Sequence, residues 1–331
     1  MGRQPSRLGG DRTGLVGMSD PLWSARQYHY LSQDSHVHPF LVDLWDEVRE
    51  ATGGRLSVTV YAKNAGLPGS HLAIIDLLIA GEIEFYALMG GVLGPLVPAM
   101  EIQGLPFAFR DHAQVHATFD GPLGDYLRQE LRVKGIHALP RGLMENGFRH
   151  ISSIDRPMHD AADFEGLRIR IPEGRMFADA FQSLGATPVE VNVLKLYDAL
   201  KNREIDAQEN PLSVTDALRL HEVTHHVGLS SHMWSGFNLM GSLAFWQRLP
   251  EDVRAAVETI ASKHVARQRA HTDALNRSLE AKLPEWGMAV TRMDRDSLRR
   301  CLGESGFYQR WRAIVGAKAW GLLEQQVGAM A

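Results

Sequence analysis

Two arginines separated by a single residue lie in the segment Phe164–Gly174, which reads FEGLRIRIPEG. The pattern predicts a short strand, and alternate side chains of a strand share a face, so Arg168 and Arg170 should point the same way. A guanidinium group is planar, charged and forked, and it therefore fits a carboxylate with two hydrogen bonds. Carboxylate binding is one interpretation of these residues. A surface ion pair between Arg170 and Glu173 is the other.

A third arginine and an asparagine occupy similar short segments on either side. Arg149 lies upstream in ENGFRH, and Asn210 lies downstream in DAQENPL. An inter-strand ion pair would also explain Arg149. Asn210 could instead cap the helix that follows, with Pro211 at its first position, although a helix N-terminus also favours an anion.

Aromatic residues and a glycine pair suggest further contacts with a small molecule. Trp234 and Phe237 in SHMWSGFN could stack on a sugar-like ring, or they could be core residues of a hinge strand. In YALMGG a strand ends at Met89 and Gly90, and the carboxyl ends of strands are where ligands bind in α/β folds. Glycine there would allow close approach of the backbone.

Histidines with a spacing suited to metal ligands occur at His36 and His38 and at His221, His225 and His226. His221 and His225 have the spacing of an HExxH motif in HEVTH, but histidine is common on solvated helix faces, and the single cysteine, Cys301, cannot form a cysteine pair. We therefore predict no metal site. His36 follows the first predicted strand at the edge of the expected cleft, and we include it among the candidate ligand contacts.

The hydrophobic periodicity predicts two α/β units. The first has strands at 28–32, 55–62 and 83–89 and helices at 39–52 and 71–80; the second has strands at 166–172, 187–191 and 204–208 and helices at 176–185 and 194–202. An alternation of strand and helix predicts a parallel, doubly wound sheet in each unit.

A long helical pattern follows Pro250 and continues to Leu283, just before Pro284. It covers some 33 residues, or roughly 50 Å at 1.5 Å per residue. A helix of that length cannot be buried within one small domain. We expect it to run along or across both units.

Composition excludes several classes of protein. The chain has 331 residues, enough for two domains, and its net charge of −4 gives no reason to expect a nucleic-acid partner. The uncharged stretches Phe85–Met100 and Val223–Gln247 contain prolines and glycines or polar residues, so we expect no direct membrane insertion. Residues 1–26 are basic and glycine-rich, without the apolar core of an export signal, and we predict that they are disordered.

Eight segments resemble, in order and spacing, the solute-binding proteins of TRAP transporters. They are LPFAFRD, DGPLG, ENGFRHISSIDRPM, FEGLRIRIPEG, SLGATPVEV, LYDAL, IDAQENPLS and LPEDVRAAV. The resemblance implies a type II periplasmic-binding fold, in which two doubly wound α/β domains are joined by hinge strands and spanned by a long helix. We expect residues 27–147 with 235–275 to form domain I and residues 148–234 with 276–331 to form domain II, with the ligand cleft between them.

The resemblance also implies the roles of individual residues and the partners. Arg170 would bind the ligand carboxylate in a bidentate salt bridge, Arg149 would line the cleft and Asn210 would fix the carboxylate. The QENP form of the last segment is associated with binders of sugar acids and hydroxy acids. The implied partners are a small-molecule carboxylate and the membrane subunits of a TRAP transporter, and the implied location is the periplasm. No cofactor is expected.

Two other functions remain open at this point. An enzyme on the same fold would need an acid/base pair, such as Glu209 with a histidine. The sequence contains no GxSxG elbow, P-loop or dinucleotide fingerprint that would favour an enzyme. A sensory component that hands a signal to a receptor is the second alternative.

Overall fold

The computed structural model describes residues 22–330. The strands in chain order are β1 (Trp23–His29), β2 (Leu56–Tyr61), β3 (Phe85–Met89), β4 (Ile136–Phe148), β5 (His150–Ser153), β6 (Arg168–Ile171), β7 (Thr187–Glu190), β8 (Ala207–Asn210), β9 (His226–Leu229), β10 (Trp234–Ser242) and β11 (Ala289–Arg292).

The helices are α1 (His38–Ala51), α2 (His71–Ala80), α3 (His112–Phe119), α4 (Pro122–Val133), α5 (Arg175–Ser183), α6 (Leu196–Lys201), α7 (Leu212–Ala217), α8 (Leu243–Arg248), α9 (Glu251–Lys282), α10 (Arg295–Glu304), α11 (Phe307–Val315) and α12 (Ala317–Val327). Short 3-10 helices lie at Ala62–Asn64, Gly90–Leu93, Pro98–Gly104, Ala161–Phe164, Val193–Lys195 and Leu220–Glu222.

The first sheet has five strands in the order β2-β1-β3-β10-β4. Strand β1 is parallel to β2 and β3, whereas β10 is antiparallel to β3 and β4. All five residues of β3 are buried, as the apolar run FYALM requires of a strand that is covered on both faces. This sheet and the helices packed on it are called the first lobe.

The second sheet has six strands in the order β11-β9-β5-β8-β6-β7. Strand β6, which carries the two arginines, is parallel to β7 and β8 and lies between them. The carboxyl ends of these three strands therefore open at the same edge of the sheet. This sheet and its helices are called the second lobe.

The chain passes between the lobes at two short junctions and along helix α9. Strand β4 ends at Phe148 and β5 begins at His150, and the return runs from the end of β9 to Trp234. Helix α9 packs on α1 and β4 of the first lobe and on α7 of the second. The prediction of two α/β lobes, joined by hinge strands and spanned by one long helix, is confirmed.

The ends of α9 follow from the sequence. Glu251 and Asp252 occupy its first turn and Lys282 its last, which complements the helix dipole. Pro250 precedes the helix and Pro284 follows it. Between them, 32 residues form one uninterrupted helix.

Two boundary expectations are corrected. Residues 22–26 were expected to be disordered with the N-terminus, but β1 starts at Trp23 and pairs with β2 over its length; residues 1–21 lie outside the described part of the chain. Helix α12, which was assigned to domain II, packs on α3 and α4 of the first lobe. The remaining domain boundaries stay a prediction. No described helix has both the length and the apolar character needed to cross a membrane.

Candidate functional site

A cavity of about 380 Å³ opens between the two lobes. From the first lobe it is lined by Tyr30, Leu31, Lys63, Asn64, Leu67, Pro68, Gly69, His71, Met89, Val92 and Asn146; the second lobe and its crossing segment contribute Arg149, Arg170, Pro172, Glu173, Glu190, Val191, Asn192, Val193, Leu194, Asn210 and Val214. Three predicted ligand residues of the second lobe, Arg149, Arg170 and Asn210, therefore meet at one cavity.

Arg170 lies near the carboxyl end of β6 and is only 2% exposed. Its Nε donates to the backbone oxygen of Val191 at 2.8 Å, and no acid among residues 22–330 forms an ion pair with it. Burial lowers the pKa of Arg170 to about 10, so the guanidinium remains charged at neutral pH. The expected alternative, an ion pair with Glu173, is absent although Glu173 lines the same cavity.

Arg149 lies between β4 and β5 and is also buried, but its charge is already paired. Its Nε and Nη2 bind the two carboxylate oxygens of Glu209, with Nη2 at 2.6 Å from Oε1. Nη1 donates to the Ser235 hydroxyl at 3.1 Å, and the guanidinium lies 5.2 Å from the ring centroid of Phe177. The inter-strand ion pair considered for Arg149 is therefore present, and the side chain borders the cavity as well.

Glu209 on β8 is fully buried, and its carboxylate lies next to the side chains of Arg149 and His232. Burial opposes its ionisation, but Arg149 and His232, whose Nε2 is 3.4 Å from Oε2, outweigh burial and lower the pKa of Glu209. The carboxylate is thus an anion held by Arg149. It does not belong to the cavity lining.

Asn210 connects this ion pair to the cavity. Its Oδ1 accepts from Arg149 Nη2 at 3.1 Å, and its Nδ2 donates to Gln208 Oε1 at 2.6 Å. Helix α7 begins at Leu212 with Pro211 as its N-cap residue and has no side-chain cap. The alternative role of Asn210 as a helix cap is therefore not observed.

Of the two residues at the end of β3, Met89 lines the cavity and Gly90 does not. Met89 lines the cavity, as expected. Gly90 is buried and lies outside the lining, because the side chain of Gln103 occupies the space where its Cβ would be. The close approach at Gly90 is therefore to Gln103, which corrects the expectation of contact with a ligand.

Trp234 and Phe237 lie on β10 in the core, and neither lines the cavity. Trp234 stacks on Phe119 at 5.9 Å, and the ring of Phe237 meets Tyr30 edge-on at 5.7 Å. Both side chains are only 1% exposed and belong to the hydrophobic core. This corrects the expectation that they stack on a sugar ring.

His36 and Arg168 also lie off the cavity. His36 is buried against Phe237 at 6.2 Å, beside a smaller pocket, and burial lowers its pKa to about 4, so the imidazole is neutral. The smaller pocket shares Leu31 and Val214 with the lining of the main cavity, and the expected contact of His36 with solute stays a prediction. Arg168 is exposed and pairs with Asp206, with Nε 2.9 Å from Oδ2, at the outer end of β6.

Comparison with known proteins identifies the family. The model of the bacterial extracellular solute-binding protein family 7, DctP, matches residues 28–304. The chain belongs to this family. The site described above is therefore the interlobe cleft of a solute-binding protein.

Relatives and solved structures agree with the family. The chain is 30% identical to a solute-binding protein of Verminephrobacter eiseniae, over 78% of this chain and 76% of that one. It is 28% identical, over 88% of each chain, to the 2,3-diketo-L-gulonate-binding periplasmic protein YiaO of Escherichia coli. A TRAP periplasmic solute-binding protein from a Polaromonas species, solved with bound D-erythronate, is 26% identical with a TM-score of 0.84, covering 93% of this chain and 99% of that one.

Several lining residues were not predicted. Asn146 lies in the segment ENGFRH, where the resemblance drew attention to the arginine alone, and its Nδ2 donates to Ser235 at 3.0 Å. Lys63 and Asn64 lie in a short 3-10 helix. Glu190 is the last residue of β7, and Asn192 lies just after it. No local pattern marks these residues as ligand contacts. Their position in the family's cleft becomes apparent only when the two lobes are assembled.

Proposed function

We propose that this chain is a periplasmic binding protein that captures an organic acid, foremost a sugar acid, and delivers it to the membrane subunits of a TRAP-type transporter. It performs no catalysis. The observation that carries the proposal is the Arg170 guanidinium, which is charged, buried and without an acidic partner at the wall of a 380 Å³ cavity. A buried charge is costly unless it is paired, and the ligand carboxylate supplies the pair.

The three polar groups of the second lobe take different roles in this proposal. Arg170 binds the carboxylate with two parallel charge-assisted hydrogen bonds. Arg149 is held by Glu209 and offers a positioned donor at the same wall. Asn210 is fixed through both ends of its amide, so it constrains where the carboxylate sits.

The remainder of the cavity suits a hydroxylated ligand. Tyr30, Asn64, His71, Asn146 and Asn192 line it with hydroxyl, amide and imidazole groups. Such groups both donate and accept hydrogen bonds, as a polyhydroxylated chain or ring requires. Two of the proteins compared above, a diketogulonate binder and an erythronate binder, bind molecules of this kind.

Ligand binding also provides a physical reason for closure. The cavity wall is divided between the two lobes, so a ligand held on Arg170 can reach Asn64 and His71 only across the gap. Contacts on both lobes favour the closed state over the open one, and a hinge between two lobes is the expected motion. The closed lobes would then present one surface to the transporter.

Acid–base catalysis is less well supported. Glu209, the acid considered for an enzyme, is bound by Arg149 through both carboxylate oxygens and lies behind the cavity wall. It does not reach a substrate as a free base. Incubation of the bound acid with the protein, followed by mass spectrometry, should return the acid unchanged.

A thermal-shift screen tests the proposal. We expect galactonate, glucuronate and erythronate to raise the melting temperature by mass action, and the matched neutral compounds galactitol, glucose and erythritol to leave it unchanged. Equal shifts with acid and neutral compounds would refute a carboxylate-binding role. So would the absence of any shift across a wider panel of organic acids.

A further inference from the structure

A second polar cluster lies in the first lobe, away from the ligand cleft. His112 and His116 on α3 and Glu145 on β4 are the one group of three potential metal ligands found among residues 22–330. We propose that they form a binding site for a Zn²⁺-like divalent transition metal. The proposal is independent of the organic-acid site, and it differs from the expectation, drawn from other histidines, that the chain has no metal site.

The geometry brings three ligand atoms to one point. His112 Nδ1 and His116 Nε2 each lie 2.9 Å from Glu145 Oε2. Residues four apart on a helix face the same way, so the two imidazoles converge from consecutive turns. Zn²⁺ bonds of about 2.0–2.1 Å in a tetrahedral arrangement separate ligand atoms by roughly 3.4 Å, so a small outward rotation of the imidazoles admits the ion.

Glu145 is held in place so that one oxygen is offered to the site. Its Oε1 accepts from the indole nitrogen of Trp234 at 2.5 Å, which leaves Oε2 for the histidines. Its backbone nitrogen and oxygen both bond to the side-chain amide of Gln268 on α9, at 2.8 and 2.7 Å. The carboxylate is therefore positioned from two sides before any metal arrives.

Asp273 on α9 supplies the outer contact that metal-binding histidines usually have. Its Oδ1 lies 3.4 Å from Nε2 of His112, the nitrogen that does not face Glu145. A metal-bound imidazole commonly donates its other N–H to a carboxylate, which fixes the tautomer and orients the ring. Arg277 holds Asp273 through its other oxygen at 2.6 Å.

The donor set selects the kind of ion. Two imidazoles and one carboxylate suit Zn²⁺ and its first-row neighbours, whereas Ca²⁺ and Mg²⁺ prefer oxygen ligands alone. The side chains of His112 and His116 are about a quarter exposed, so an ion can enter from solvent and a water can complete the coordination. Because the ligands join α3 to the hinge strand β4, occupancy would fasten this helix to the hinge.

Direct titration tests the site. Tag-free full-length protein is stripped with a chelator and titrated with ZnCl₂ by calorimetry, and metal retained after dialysis is measured by plasma emission. We expect one Zn²⁺ per chain in the wild type. Asp273→Asn removes only the carboxylate behind His112 and should weaken Zn²⁺ binding roughly 10–100-fold. His112→Ala and His116→Ala each remove a metal ligand and should weaken binding by more than that.

His225→Ala is the matched control, because His225 is exposed and outside the cluster; it should bind Zn²⁺ like the wild type. One-to-one binding that survives both cluster substitutions would overturn the proposal, as would a wild type that retains no stoichiometric metal. If a variant fails to fold, the visible spectrum of Co²⁺ added to the wild type decides. Intense bands of a low-coordinate site support the proposal, and the weak spectrum of hexaaqua Co²⁺ contradicts it.

Discussion

The cleft contains two buried arginines, of which one is paired with an acid among residues 22–330 and the other is not. Arg149 is bound through Nε and Nη2 by Glu209, and its Nη1 meets a serine hydroxyl. Arg170, on the strand beside Glu209, has one backbone partner for its Nε and no acid. The comparison shows that burial alone does not identify a ligand-binding arginine. We propose that the unpaired charge does, because only that charge would gain a partner when a ligand carboxylate binds.

The two arginines also differ in how they affect the stability of the ligand-free protein. The Arg149–Glu209 pair satisfies two buried charges, so removing either partner leaves the other uncompensated. Arg170 forms no ion pair in the described part of the chain, and burial lowers its pKa although the nearby charge of Glu209 offsets part of the desolvation cost. Stability and affinity should therefore separate: substitutions at the Arg149–Glu209 pair destabilise the protein, and substitutions at Arg170 remove most of the binding.

The largest effect is expected for Glu209→Gln. The substitution leaves the buried Arg149 guanidinium without its anion, and we expect a loss of about 3–5 kcal/mol of unfolding free energy, measured by urea denaturation at neutral pH. Asp206→Asn is the control, because it breaks the exposed pair with Arg168 and should cost about 0–1 kcal/mol. Equal losses in the two variants would remove the distinction between buried and exposed pairs.

The pH dependence of the unfolding free energy of Glu209→Gln, relative to the wild type, tests the charge of Glu209. Burial opposes the ionisation of Glu209, but Arg149 and His232 outweigh it and lower the folded-state pKa. The ionised carboxylate therefore stabilises the fold at a pH above its unfolded-state pKa. This stabilisation is lost as the pH falls through the folded-state pKa. The difference between wild type and Glu209→Gln should therefore shrink in acid. A difference that stays constant down to acid denaturation would contradict this assignment of charge.

Arg170→Ala should abolish most of the binding without harming the fold. Two charge-assisted hydrogen bonds at about 1.5–3 kcal/mol each correspond to a loss of more than about 100-fold in affinity for a sugar acid, measured by calorimetry. The empty variant should melt no lower than the wild type, since an unpaired buried charge has been removed. Arg168→Ala, at the exposed end of the same strand, should bind normally.

Asn210→Ala tests the residue that lies between the two centres. It removes an acceptor from Arg149 and a donor to Gln208, so we expect about a tenfold loss of affinity and a modest loss of stability. The measurement is the same calorimetric titration with a parallel melting curve. A variant that loses stability but keeps full affinity would place Asn210 in the framework and not at the ligand.

The smallest effect is expected for Glu173→Gln. Burial and the nearby Glu190 raise the pKa of Glu173, and both acids line the cavity that receives an anion. Removing one negative charge should tighten binding of a mono-anionic acid about two- to threefold, as expected for a partly solvated charge. Weaker binding would instead indicate that Glu173 accepts a hydrogen bond from the ligand.

Local patterns predicted the framework of the fold well. Helix α9 follows from apolar periodicity between two prolines, and β6 with its two arginines follows from alternation in RIRI. The first strand was placed too late, because WSARQYH has polar residues that hid the pattern; Arg26 there pairs with Glu84 across the sheet. Arg26 and Glu84 are 58 residues apart, so their ion pair cannot be inferred from the local sequence around β1.

The site was only partly predictable for the same reason. Motif order indicated Arg170, Arg149 and Asn210, which the structure brings to one cavity. It could not show that Trp234 and Phe237 lie in the core, because both faces of β10 are buried although the strand contains serine and asparagine. The cluster of His112 and His116 was missed because its carboxylate comes from a different element.

The most direct test of the account is a crystal structure of the protein with a sugar acid bound, such as galactonate. We expect the lobes to be closed around the ligand, with the two carboxylate oxygens about 2.7–2.9 Å from the Arg170 guanidinium nitrogens and the Arg149–Glu209 pair unchanged. A carboxylate bound elsewhere in the cavity, with Arg170 still lacking an anionic partner, would contradict it.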